Sequence, residues 1–176
     1  MDPVAAIGEL APDFVLHDLD GVPHRLSERR GKIIVLHFWS ADCPQCERLD
    51  GRIALLRAGW IDRVQVWWIA PNDNEDDGSL RRAARRQAGG AVLRDAGQVI
   101  ADRYGARTTP HLFVIDAKGI LSYAGAPDDV SLRQRVATRN YLGEAVQALL
   151  RDERPDPAST APFGCAIVRS RGRPAS

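Results

Sequence analysis

An unbroken apolar run that leads directly into two cysteines constrains the fold of this chain more than any other feature. The run covers residues 33–39. Strands that are apolar on both faces are typical of the buried interior of a parallel sheet. Cys43 and Cys46 follow, separated by a proline and a glutamine, and apolar residues then recur with a helical period to about residue 58. The pattern predicts a strand, a short loop and a helix, with both cysteines at the start of the helix.

Strand and helix patterns alternate along the rest of the chain. Strands are predicted at residues 14–16, 64–70, 92–93, 111–115 and 120–123, and helices at 43–58, 80–88, 97–104 and 132–151. This alternation predicts an α/β fold with right-handed crossover connections. Strands 111–115 and 120–123 form the one clear antiparallel hairpin. Open sheets of this class place their active sites at the carboxyl ends of parallel strands, where the cysteine pair falls.

The length of 176 residues fits one domain with a substantial core. We expect a domain over residues 1–152 and a proline-rich tail over residues 153–176 that carries Cys165 and lacks regular structure. The first residues show no leader pattern, and no apolar stretch reaches the length of a membrane span. We therefore expect a cytoplasmic protein.

Charge and cysteine usage limit the function classes. The chain has 24 basic and 23 acidic residues, so its net charge of +1 gives no general attraction for nucleic acid or an anionic membrane. Three cysteines are too few for a disulfide-stapled scaffold, and the count is odd. Catalysis or metal binding by the cysteines is favoured instead.

The spacing of Cys43 and Cys46 suits chemistry on sulfur. Two sulfurs one helical turn apart are near enough to form a disulfide. The unpaired N–H groups and the dipole of a helix N-terminus favour a thiolate there. Cysteines in such places have pKa values of roughly 3.5–7.5, against about 8.5 for a free thiol. Since the thiolate is the nucleophile, the sequence predicts a redox-active dithiol.

Several motifs together carry a family resemblance. Residues 38–46 resemble the active-site run of the thioredoxin fold, and Thr109 with Pro110 before a strand resembles its cis-proline loop. The opening of the chain is similar to the redoxin group, which contains alkyl hydroperoxide reductases, thiol-specific antioxidants and thiol-disulfide reductases of cytochrome c maturation. The residues that carry this second likeness are 11–14, 18–21, 26–27, 31–32 and 104–106. Residues 162–167 resemble a Gly-Cys-x-Ile tail of bacterial thioredoxin-family proteins.

The resemblance implies a thioredoxin-like three-layer α/β sandwich with an N-terminal extension and an αβ insertion. It implies that Cys43 attacks a substrate disulfide and that Cys46 resolves the mixed disulfide. A cis Pro110 would bring the backbone of Thr109 beside the sulfurs to pair with an extended substrate, and Trp39 would flank the site. The dithiol is itself the redox group, so no organic cofactor is expected. Expected partners are protein or small-molecule disulfides and an upstream thiol reductant, in redox homeostasis or antioxidant defence.

The chain departs from thioredoxins at three positions. His37 stands where thioredoxins have a buried aspartate; it is most simply a hydrogen-bonded core residue. If it faces the thiols instead, its imidazolium lowers the pKa of Cys43, and its neutral form accepts a proton from Cys46. Asp42 disfavours a thiolate next to it. Gln45 changes the dipeptide that helps to set the reduction potential, so the direction of electron flow stays open.

A thiol peroxidase is the second hypothesis. Peroxiredoxins place a Thr or Ser three residues before the peroxidatic cysteine, as Ser40 stands to Cys43. They also place a proline three residues before that, where this chain has His37. Arg107 is a candidate for the arginine that approaches a peroxiredoxin site.

Metal binding and a non-enzymatic adaptor role are further alternatives. Cys43, Cys46 and His111 are ligand types that suit copper(I) or zinc. Copper chaperones of this fold, however, separate their cysteines by three residues, and His111 is expected to open a strand near solvent. An adaptor on the same fold is compatible with the pattern, because fold does not fix function.

Cys165 allows two interpretations. It is either an inert cysteine packed where the tail returns to the domain, or it lies near Cys43 as an alternative resolving thiol or a cap on the site. Its place in the Gly-Cys-x-Ile run favours proximity.

Overall fold

The computed structural model describes residues 4–86 and 90–170. The helices and strands of this part are, in chain order, β1 (Val15–Asp18), β2 (Pro23–Arg25), β3 (Ile33–Phe38), α1 (Pro44–Leu56), β4 (Val64–Ala70), α2 (Asp77–Ala84), β5 (Ala91–Arg94), α3 (Val99–Tyr104), β6 (Thr108–Thr109), β7 (His111–Ile115), β8 (Leu121–Gly125), α4 (Tyr141–Leu150) and β9 (Cys165–Ala166).

Seven strands form one mixed sheet with the order β2-β1-β5-β4-β3-β7-β8. β3 pairs in parallel with β4, and β4 in parallel with β5. On its other side β3 pairs antiparallel with β7, which continues into the hairpin with β8. All six residues of β3 are buried, as expected for an apolar strand with helices on both faces. The predicted α/β class is confirmed.

The core has two parts, one on each face of the sheet. α1 and α4 contribute Leu49, Ile53 and Val146 to the first part, and α3 contributes Ile100 and Tyr104 to the second. Burying a large apolar side chain contributes about 1.5–3 kcal/mol, so these two layers dominate the stability of the fold. The result is a three-layer sandwich with the N-terminal end of α1 at the carboxyl edge of the sheet.

The last helix is shorter than the sequence predicts. Residues 132–140 are not helical, and the predicted start at residue 132 is wrong. The carboxylate of Asp129 accepts hydrogen bonds from the backbone N–H groups of Thr138 (2.8 Å) and Arg139 (3.0 Å). These bonds hold the segment as a loop, because a carboxylate that binds nearby backbone N–H groups competes with helix formation.

Asn140 sets the start of α4. Its side-chain oxygen accepts a hydrogen bond from the backbone N–H of Gly143 at 3.1 Å. We expect Asn140→Ala to lower the free energy of unfolding by about 1 kcal/mol, because an N-cap side chain is lost. Chemical denaturation measures this, with Asn74→Ala in an exposed loop as the matched control. Equal midpoints for the two variants would contradict the capping role.

Three smaller differences from the sequence prediction have local causes. α2 begins at Asp77, earlier than predicted, because Asp76 caps it by accepting from Ser79 N–H; its predicted end at residue 88 lies outside the described residues. β1 and β2 form a second hairpin. The expectation of a tail without regular structure is wrong at β9, which pairs antiparallel with β6.

In the part of the chain that is described, no helix combines the length and apolar character needed to cross a membrane.

Candidate active site

The cysteine pair lies where β3 passes into α1. Cys43 is the N-cap residue of α1, and a proline follows at the first helical position, where its missing N–H costs no hydrogen bond. Both cysteines are free thiols. Cys46 is fully buried, and only 3% of Cys43 is exposed. An attacking sulfur at this position is therefore covered by its neighbours.

One neighbour is the loop that contains Thr109 and Pro110. The peptide bond between these two residues is cis, as the resemblance implies. Sγ of Cys43 lies 2.9 Å from the carbonyl oxygen of Thr109, which accepts a hydrogen bond from the thiol when Cys43 is protonated. The backbone of this loop thus lies directly beside the sulfur.

The second neighbour is Cys165. Its Sγ lies 2.7 Å from Sγ of Cys43. The strand pairing between β6 and β9 produces this contact, because it aligns Cys165 with Thr109. The tail therefore brings Cys165, the third cysteine of the chain, into contact with Cys43.

The three thiols differ in acidity. Hydrogen bonds from Cys46 and then from Cys165 stabilise the Cys43 thiolate and lower the pKa of Cys43 to about 4, although burial acts in the opposite direction. Burial raises the pKa of Cys46 far above that of a free thiol, and the neighbouring Cys43 sulfur adds to this effect. Burial and the contact with Cys43 raise the pKa of Cys165 to about 11. At neutral pH the site therefore holds one thiolate and two protonated thiols.

The thiolate gives a pH prediction. The ultraviolet absorbance of the reduced protein should show one thiolate step with a midpoint near the Cys43 pKa of about 4, since the other two thiols stay protonated to much higher pH. Cys165→Ala should move this midpoint upward, because it removes a hydrogen-bond donor that favours the charged form. The step should vanish in Cys43→Ser. A wild-type midpoint of about 8.5, typical of a free cysteine, would contradict the assignment.

His37 lies in the core next to this cluster. Its side chain is fully buried, and burial lowers the pKa of its imidazole to about 3, so the ring is neutral. A neutral ring does not support the interpretation in which an imidazolium activates Cys43, and a role for His37 stays a prediction. Neither ring nitrogen has a hydrogen-bond partner among the described residues, so the expected hydrogen bond is also missing. The Nδ1 atom is 3.7 Å from Oδ1 of Asp50.

Trp39 links the end of β3 to α1 next to the site. Its side chain is buried in the same core cluster as Cys43 and Cys46, and its indole N–H donates to Oδ2 of Asp50 at 2.9 Å. Trp68 donates to the other oxygen of the same carboxylate at 2.7 Å. These bonds tie β3 and β4 to α1. Contact of Trp39 with a substrate stays a prediction.

The sequence analysis missed Glu75. This residue lies in the loop after β4, and its side chain is almost fully buried. One carboxylate oxygen accepts from the Ser40 hydroxyl at 3.1 Å and from the backbone N–H of Ala41 at 2.6 Å. Burial raises the pKa of Glu75. Glu75 fixes the loop that precedes Cys43. Its position directly after a strand parallel to β3 could have indicated this contact from the sequence, because the loops that follow parallel strands meet at the same edge of the sheet.

Arg107 and His111 contact each other through the loop backbone. The Arg107 N–H donates to Nδ1 of His111 at 3.2 Å, and the Arg107 side chain is exposed. His111 opens β7 as predicted, but it is buried against the ring of Phe113 rather than near solvent. Burial lowers the pKa of His111 to about 4. Among the described residues, no group of three or more His, Cys, Asp or Glu side chains is arranged to hold a metal ion.

Comparisons with known proteins agree with this geometry. A thiol-disulfide oxidoreductase ResA from Halalkalibacterium halodurans is 34% identical over 118 residues, which are 66% of this chain and 66% of the relative. The chain thus spans slightly less than two thirds of that relative. The hypothetical protein SMc02350 from Sinorhizobium meliloti 1021 superposes with a TM-score of 0.83 at 26% identity, over 94% of this chain and 96% of its own.

A secreted Mycobacterium tuberculosis disulfide oxidoreductase, described as homologous to E. coli DsbE, superposes with a TM-score of 0.55 at 27% identity, over 61% of this chain and 79% of its own. The predicted thioredoxin-like sandwich is confirmed by these likenesses. The model of the AhpC/TSA family matches residues 7–124, which is more than half of the chain. The chain therefore belongs to the AhpC/TSA family.

Proposed function

We propose that this protein is a thiol-disulfide oxidoreductase in which Cys43 and Cys46 alternate between a dithiol and a disulfide. The observation that carries the proposal is the acidic Cys43 at the N-terminus of α1, beside the loop with the cis proline. The names of its ResA relatives support the same activity.

The reaction proceeds by two exchange steps. The Cys43 thiolate attacks one sulfur of a substrate disulfide, forms a mixed disulfide and releases the other substrate sulfur as a thiolate. Cys46 then attacks Sγ of Cys43, closes the Cys43–Cys46 disulfide and releases the second substrate thiol. The proton of the Cys46 thiol goes to the departing sulfur, and the substrate gains two electrons. The buried Cys46 stays protonated until this step, because its pKa is raised.

The names of the relatives support protein or small-molecule disulfides as substrates, with a thiol system as the source of electrons. A role in redox homeostasis follows from such an exchange. The cytoplasmic location stays a prediction, because one structural relative is described as secreted.

Peroxidase activity is the second candidate, and it receives less support. A thiolate at Cys43 suits attack on a peroxide as well. The Ser40 hydroxyl, however, donates to Glu75, and the Arg107 side chain is exposed. Neither observation adds support to the resemblance to peroxiredoxins.

A side-by-side assay separates the two functions. We expect the reduced protein to reduce insulin disulfides rapidly and to consume hydrogen peroxide slowly. Rapid consumption of peroxide that depends on Cys43, with slow insulin reduction, would overturn the proposal and place the protein among the peroxidases. Failure in both assays would leave a non-enzymatic adaptor.

A further inference from the structure

The tail lies where an extended substrate is expected to bind. β9 pairs antiparallel with β6, with Cys165 opposite Thr109 and Ala166 opposite Thr108. Under the proposed function, a substrate segment pairs with this same backbone and offers a disulfide sulfur to Cys43. Cys165 already occupies that place, with its Sγ 2.7 Å from Sγ of Cys43.

We propose that residues 163–168, called here the tail strand, are a built-in substrate that closes the site through a reversible Cys43–Cys165 disulfide. External substrates enter after the tail strand leaves, and those that pair in the register of β9 react fastest when a glycine directly precedes the reactive cysteine. This inference rests on the proposed function of Cys43 as the attacking thiol.

The tail strand is docked by polar contacts near the surface. Ile167 N–H donates to the carbonyl oxygen of Arg107 at 3.4 Å, and Val168 N–H donates to Oδ1 of Asn72 at 2.9 Å. The carbonyl oxygen of Val168 accepts from the N–H of Asp73 at 3.2 Å. Both residues of β9 are exposed. No residue of the tail strand is fully buried, although Ile167 packs partly against the core. Segments with exposed hydrogen bonds and few buried apolar contacts open at a low free-energy cost, so we expect the tail strand to leave the site without unfolding the domain.

The chain just before the tail strand is held more firmly. Thr160 N–H donates to the carbonyl oxygen of Ala124 at 3.1 Å, and the Thr160 hydroxyl accepts from Ala126 N–H at 2.9 Å. A displaced tail strand therefore stays attached a few residues from the site. Such a short tether keeps its effective concentration high, on the order of millimolar, and favours rapid return.

Gly164 lies against the backbone of Thr109, and the space there limits which residue can precede the cysteine of a bound strand. A Cβ at Gly164 would lie 2.3 Å from the carbonyl oxygen of Thr109 and 2.7 Å from its carbonyl carbon. These are backbone atoms of the cis-proline loop, which cannot rotate aside as a flexible side chain does. Any strand that binds in the register of β9 must therefore have glycine before its cysteine.

The thiol chemistry of the tail strand balances with a substrate disulfide as the oxidant. After Cys43 has formed a mixed disulfide, Cys165 attacks Sγ of Cys43, closes the Cys43–Cys165 disulfide and releases the substrate thiol, which takes the Cys165 proton. Cys46 then attacks Sγ of Cys43, closes the Cys43–Cys46 disulfide and returns its proton to Cys165. The second step is an isomerisation without net oxidation.

Disulfide mapping tests the covalent part. Trypsin, which cuts after Lys and Arg but not before Pro, should place Cys43 and Cys46 in one peptide, residues 33–48, and Cys165 in another, residues 152–169. We expect Cys46→Ala, oxidised with glutathione disulfide and then alkylated, to yield these two peptides joined. Glutathione that remains on Cys43 with no joined peptides would overturn the inference.

A glycine variant tests the docking independently. Gly164→Ala should detach the tail strand and speed alkylation of Cys43 by iodoacetamide about tenfold or more, because the clash with the backbone of Thr109 excludes the bound position. Gly59→Ala is the matched control, since a Cβ there meets nothing within 4 Å. Equal alkylation rates in the two variants would overturn the inference.

Peptides test the glycine requirement. An eight-residue peptide with the sequence of residues 162–169, activated as a mixed disulfide with thionitrobenzoate, should react with reduced Cys165→Ala protein about tenfold faster than the same peptide with alanine in place of its glycine. Equal rates would overturn this part. If insulin reduction is normal while these three tests fail, the tail inference is wrong and the proposed function stands. If Cys43 is inert in all assays, the proposed function itself has failed.

Discussion

Cys43→Ser should reduce the rate of insulin disulfide reduction by about 1,000-fold or more, to the uncatalysed background. The serine hydroxyl fills nearly the same volume, so the fold is retained, but it is not ionised at neutral pH. The wild-type sulfur is ionised because its pKa lies at about 4. The rate falls because the attacking nucleophile is missing. The size of the fall should therefore be similar for every disulfide substrate.

Far-ultraviolet circular dichroism and the denaturation midpoint control for folding in this variant. Both should match the reduced wild type closely, because the serine side chain fills nearly the space that the Cys43 side chain fills in the core. Residual reduction within about tenfold of wild type, in a folded variant, would show that another group attacks the substrate.

The double variant Cys46→Ala, Cys165→Ala should stop after the first chemical step. Cys43 still attacks, but no thiol within reach can release the substrate, so covalent complexes with insulin chains should accumulate. Non-reducing electrophoresis and intact mass measure them. We expect turnover to fall by about 100-fold or more, while one equivalent of substrate is bound per protein.

The single variants divide the resolving role between the two thiols. Cys165→Ala should release substrate readily through Cys46, and Cys46→Ala should release it more slowly through Cys165. Failure of the double variant to hold any substrate covalently would mean that Cys43 does not form the mixed disulfide.

The central part of the fold was predictable because local pattern and burial agree there. β3 is apolar at every position except His37 and lies inside the sheet, and β4 matches the predicted residues 64–70. The cysteine pair follows β3 directly, so its place at the carboxyl edge follows from strand order alone. The family motif then implied the cis bond at Pro110, which propensity cannot indicate.

The remaining features depend on contacts between residues far apart in the chain. Glu75 approaches Ser40 only because β3 and β4 are neighbours in the sheet. The loop around Asp129 replaces a helix whose apolar spacing is regular, since one carboxylate binds two backbone N–H groups. β9 is only two residues long and lies in a proline-rich segment, so no alternating strand pattern in the sequence predicts its pairing with β6.

The most direct test of the central proposal is an equilibrium titration of the wild-type protein in glutathione redox buffers, followed by alkylation and mapping of the tryptic peptide of residues 33–48. We expect a two-electron transition in which this peptide loses two hydrogen atoms and takes up no alkylating reagent, which is the signature of a Cys43–Cys46 disulfide. A peptide that stays fully alkylated, or that gains glutathione separately on each cysteine across the whole range, would contradict a redox-active dithiol.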